Sequence, residues 1–78
     1  MRVKENLKLR ASEALNSETL TVMAAGTCVK ILQIGKSETI DGIAGNWVKV
    51  EVQDGAEDKN GTRIKARTAG WCFGGYLE

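Results

Sequence analysis

The sequence predicts an all-β domain, a small barrel of five to six short antiparallel strands. Two observations carry that prediction. Apolar residues recur at alternate positions in short runs rich in valine, isoleucine and threonine. Nine glycines and no proline separate those runs with turn signals. Length then selects a closed form. In 78 residues a strand-rich chain builds one small core, and closure removes the exposed edges that an open sheet would leave. Residues 1–78 are read as a single domain, expected to be a fragment of a larger protein.

Each element follows in order. In "NLKLRAS" Leu7 and Leu9 share one face of a strand. The polar stretch "SEALNSET" (12–19) is too short for a stable helix and reads as a long loop. "LTVM" is a second short strand with Leu20 and Val22 in phase. A turn at Gly26 leads into "TCVKILQIG", where Val29 and Ile31 point inward while Cys28 and Lys30 share the outer face. "DGIAGN" (41–46) reads as a loop. "NWVKVEVQ" is the clearest strand, with Val48, Val50 and Val52 alternating against Trp47, Lys49 and Glu51. "DGAEDKNG" (54–61) carries Asp-Gly and Asn-Gly, the signature of a hairpin connection with a turn at Asn60-Gly61. "TRIKART" then reads as a charged strand with Ile64 and Ala66 in phase, and "GWCFGGYLE" closes the chain.

Composition removes several function classes. Eleven basic and ten acidic residues leave a formal net charge of +1, so no strong field draws in nucleic acid or an anionic membrane. No apolar stretch is long enough to span a bilayer, and no apolar segment of signal-peptide type follows the first residues. The absence of histidine removes the commonest general base and metal ligand. Asp54, Glu57 and Asp58 do not match a calcium-loop spacing and read as a solvated turn. Neither a metal nor any other cofactor is expected. Cys28 alternates with inward residues and faces out, whereas Cys72 faces in, so opposed Cβ directions argue against a bridge. Without a histidine partner, neither cysteine reads as a nucleophile.

What remains is an aromatic group. The chain has four aromatic residues, Trp47, Trp71, Phe73 and Tyr76, and three of them fall in the last eight positions around Gly74-Gly75. Flat apolar side chains with a polar tip suit an extended peptide or a sugar. They equally suit the core and rim of a barrel short of other large side chains. The glycine pair reads as a turn needing positive φ or a close backbone approach.

The order of these signals resembles the bacterial SH3 domain family. The resemblance rests on "LKLRAS", the long polar loop after it, "AAGTCVKIL", "GNWVKVEV" and "GWCFGGYLE". The ending is similar to that of eukaryotic SH3 domains: Gly70, the pair Trp71-Cys72, Tyr76 and Leu77 fall on matching positions, while Phe73 stands at the groove proline. That change, and the lack of a tyrosine-rich opening, argue against polyproline-II ligands. Segment 54–67 is longer than the family's usual distal hairpin, which implies an extended charged hairpin, with Trp71 lying outside against it.

The resemblance implies a non-catalytic binding module of an exported bacterial protein, placed in the cell envelope or outside the cell, with a cytoplasmic setting left open. Its partner would be a cell-wall peptide or a protein segment lying across Trp47, Phe73 and Tyr76. Loops at 12–19 and 36–45 would set selectivity, and Glu38 and Asp41 would pair with peptide amines. A structural module that packs on a neighbouring domain, or self-associates as a weak dimer, is the alternative.

Overall fold

A computed structural model describes residues 1–78. It has five antiparallel strands, β1 (Leu7–Arg10), β2 (Thr19–Met23), β3 (Val29–Ile40), β4 (Ile43–Val52) and β5 (Ala69–Phe73), followed by a 3-10 turn over Gly74–Tyr76. They form one sheet in the order β2-β1-β5-β4-β3. No helix is long and apolar enough to cross a membrane. All five strands contribute to the same interior: Leu9, Met23, Val29, Val48, Val50, Val52 and Cys72 pack in one cluster with Val3, Ala56, Ile64 and Leu77. A flat sheet cannot do this, so the sheet curls round its own inner face. Both edges receive cover. Ala24 N donates to Glu57 O at 3.0 Å and Lys59 N to Val22 O at 3.0 Å along β2, while Val29 N donates to Met1 O at 2.9 Å at the start of β3.

The alternation of Val48, Val50 and Val52 holds, and all three are buried. Cys72 joins them, and Cys28 is exposed and unbridged. In β2 the inner phase belongs to Met23, which faces Leu7 across the ladder, while Leu20 is exposed. Ile31 stands opposite Val50 on the inner side, yet it is 36% exposed, because it lies on the edge strand beyond the reach of the core.

Two expectations are corrected. Residues 41–46 are not a loop. Asp41 (φ 52°) and Gly42 (φ 77°) make a tight two-residue turn, and β4 begins at Ile43. Consecutive positive φ values match the right-handed twist of the flanking strands, which is why Asp-Gly is favoured there. The long hairpin is therefore β3–β4. Segment 54–67, in turn, contains no strand; it holds only isolated bridges, Met23 to Asp58 and Glu57 to Arg63. Asp58 Oδ1 accepts from Asn60 N at 2.8 Å and Thr62 N at 3.0 Å, so its side chain takes two donors at the turn, and the backbone pairs across it at isolated points, Asp58 N to Thr62 O at 2.8 Å and Ile64 N to Ala56 O at 2.9 Å. Ile64 still reaches the core from this irregular segment.

Candidate functional site

The outer face of the sheet carries a second, smaller core. Trp47 stands opposite Phe73 in the β4–β5 ladder. Both point away from the main interior, but Trp47 is only 1% exposed and Phe73 only 3%. They pack with Ile40, and Trp71 and Tyr76 lie against them. Phe73 meets Trp47 edge-on with ring centroids 5.8 Å apart and Tyr76 with centroids 5.9 Å apart. A ring edge directed at a ring face is the favoured arrangement of two aromatic quadrupoles. Phe73, at the position where a proline lines a groove in the eukaryotic domains, fills that space instead.

Trp71 does not lie under segment 54–67, which sits beside β2 at the other edge. It packs over Gly35 of β3, where a Cβ would stand 2.7 Å from its Cζ3 atom. The Gly74-Gly75 pair also has a steric cause. Neither residue has positive φ. A Cβ on Gly74 would lie 2.7 Å from Asn46 O, and one on Gly75 2.8 Å from Phe73 Cε2, so both glycines permit close approach to β4 and to the ring.

Beside this core runs an open cleft of about 280 Å3. Its floor is Trp47, Phe73 and Tyr76; one wall is the outer face of the first strand, with Asn6, Lys8 and Arg10; the other is the β3–β4 turn, with Ile40 and Asp41. Leu15 of the 12–18 loop closes one end. That loop is held at two points. Arg10 Nη1 donates to Leu15 O at 2.7 Å and Ser17 O at 3.2 Å, and Glu13 Oε2 accepts from Lys36 N at 3.1 Å.

The two carboxylates singled out by sequence occupy different places. Glu38 does not line the cleft. Its Oε1 accepts from the Trp47 indole N–H at 2.8 Å and lies 3.9 Å from Lys36 Nζ, so it orients the ring from behind. Asp41 is at the rim, where Oδ2 accepts from Tyr76 Oη at 3.2 Å. Partial burial, that hydrogen bond and the charges of Asp41 and Glu5 together hold the Tyr76 phenol above its ordinary 10.0. Of the selectivity segments, 12–19 reaches the cleft through Leu15, and 36–45, which is strand on either side of a two-residue turn, reaches it through Ile40 and Asp41. Glu5, Asn6, Lys8 and Arg10 were missed by the sequence reading. The signal for Asn6, Lys8 and Arg10 was the polar phase opposite Leu7 and Leu9, but what faces that phase depends on β1 lying beside β5; Glu5 precedes the strand and carries no such signal.

The comparisons bear on the whole chain. The sequence model of the family described as bacterial SH3 domain matches residues 5–78. No curated protein and no solved structure matches.

Proposed function

We propose, from the premise that the chain belongs to the bacterial SH3 domain family, a family of binding modules, that this domain is non-catalytic and binds an extended peptide segment in the cleft over Trp47, Phe73 and Tyr76. The observation that carries this reading is the shape and lining of that cleft: shallow, open, floored by aromatic rings and rimmed by charges of both signs. A compact metabolite wants a deep enclosed pocket, whereas an extended chain uses a groove with a rigid apolar floor and a few polar contacts at its rim. Tyr76 and Asp41 would make the polar contacts, and Glu38 would keep the Trp47 ring in place. The resemblance to bacterial SH3 domains supports a cell-wall peptide as ligand and an exported, envelope-associated setting.

Retention on insoluble peptidoglycan tests this. Trp47 and Phe73 are core residues, so substituting them would test folding rather than binding. Leu15 is 53% exposed and closes the cleft, so Leu15→Asp changes the groove without touching the core. Loss of retention is the expected result; equal retention of both proteins would sink the groove reading.

One observation favours the alternative of an assembly module. Ile31 and the 69% exposed Ile34 of the edge strand β3 flank an open apolar groove lined also by Val48 of β4. If that groove packs on a second copy, sedimentation will depend on concentration and Ile34→Lys will abolish the dependence.

A further inference from the structure

The cleft carries its charges in order, not at random. Arg10 stands opposite Trp71 in the β1–β5 ladder. Lys8, two residues earlier, shares the face of Arg10, and the pairing resumes at Val3 opposite Leu77, beyond the 3-10 turn of Gly74–Tyr76. Lys4 N donates to Tyr76 O at 2.9 Å, which brings Glu5 to the Tyr76 end. Asp41 is at the same end, bonded to the Tyr76 hydroxyl at 3.2 Å. One end of the aromatic floor therefore has two carboxylates and the other has two cations. None of the four makes an ion pair within the chain, whose ion pairs are Arg2–Glu78 and Lys36–Glu38. At a rise of about 3.3 Å per residue, Glu5 lies at most about 10 Å from Lys8 and about 16 Å from Arg10 along the strand.

We propose that the cleft binds a zwitterionic peptide in one direction, its amine at the Asp41–Glu5 end and its carboxylate at the Lys8–Arg10 end, a span of about three to five extended residues. This rests on the groove reading and adds a direction and a charge pattern to it. The Tyr76 phenol lies beside these carboxylates, and burial first, then Asp41 and Glu5, oppose its ionisation. Asp41 also has a fixed position, because the two-residue turn that holds it is part of the long hairpin.

Tetra-alanine in four forms tests the proposal: both termini free, the amine acetylated, the carboxylate amidated, or both capped. Binding is followed by backbone amide chemical shifts of the whole domain. The free peptide should bind most tightly, each cap should weaken it by about two- to fivefold, the range of exposed ion pairs, and both effects should fade in high salt. Asp41→Asn keeps the turn, because asparagine tolerates positive φ, and should remove the penalty for acetylation alone. Lys8→Gln should reduce the penalty for amidation alone. Equal binding of all four peptides would overturn the direction and leave the groove standing. No shift with any peptide would overturn both. An exchange of effects, with Asp41→Asn removing the amidation penalty, would overturn the assigned orientation.

Discussion

Phe73→Leu asks whether the second core is as closed as its geometry shows. The ring is 3% exposed and makes two edge-to-face contacts, to Trp47 at 5.8 Å and to Tyr76 at 5.9 Å. Each such pair contributes about 0.5–1.5 kcal/mol beyond the burial of area, so losing both costs about 1–3 kcal/mol. Leucine retains most of the apolar burial, which keeps the void small. The whole domain, at about 0.05–0.15 kcal/mol per residue, has roughly 4–12 kcal/mol to lose. Urea unfolding followed by tryptophan fluorescence reads this directly. With a slope of about 1 kcal/mol per molar urea for so small a chain, the midpoint should fall by about 1–3 M. A surface side chain would change stability by no more than about 0.5 kcal/mol. A midpoint shift below about 0.5 M would therefore show Phe73 to be a groove residue open to water, and the packing argument would fail.

Three further outcomes follow from the same structure. Gly70→Ala should cost about 1–3 kcal/mol in a thermal melt, since overpacking of this kind strains both neighbours; its Cβ would lie 2.8 Å from Leu9 Cγ and 2.9 Å from Arg10 O, and an unchanged melting temperature would refute so close an approach of β1 and β5. A thiol-reactive chromophore at mildly alkaline pH should label only the exposed Cys28 in the native state and both cysteines in denaturant, because burial pushes the Cys72 thiol from 9.0 up to about 12. The unfolded chain releases that proton first, so the Cys72 contribution is whole below pH 9.0 and declines as pH rises towards about 12, a slope that Cys72→Ala should remove. Absorbance titration should place Tyr76 above its ordinary 10.0, and Asp41→Asn should move it back towards that value; an unmoved titration would show that Asp41 does not act on the phenol.

Several features of the fold could be read without coordinates. Alternation in "NWVKVEV" assigned Val48, Val50 and Val52 to the core, and the same rule separated exposed Cys28 from buried Cys72. The polar stretch 12–19 read as a loop, and residues 11–18 indeed contain no strand. The order of these signals was enough to identify the resemblance that the family match now shows. The reading failed where turn chemistry was ambiguous. Asp41-Gly42 and Asn60-Gly61 offer similar turn signals, but only the first joins two strands. Around the second, the Asp58 side chain takes the backbone donors.

What the sequence by itself determined is which side each residue takes in an unbroken strand such as 47–52, where the local period of two runs uninterrupted; in β3 a bulge between Ile31 and Gln33 brings Ile31 and Ile34 to one side, which no local pattern announces. What only the tertiary structure decided is which sides are covered. Ile34 pairs with Val48 on the inner side and is 69% exposed, whereas Trp47 points outward and is 1% exposed. The reason is that cover comes from elements distant in the chain. Trp47 is sealed by Phe73 and Ile40, and Ile34 lies at an edge with no neighbouring strand on its far side. The cleft has the same origin. Lys8 and Arg10 meet the aromatic floor because β1 pairs with β5, a contact between segments about sixty residues apart that no local pattern encodes.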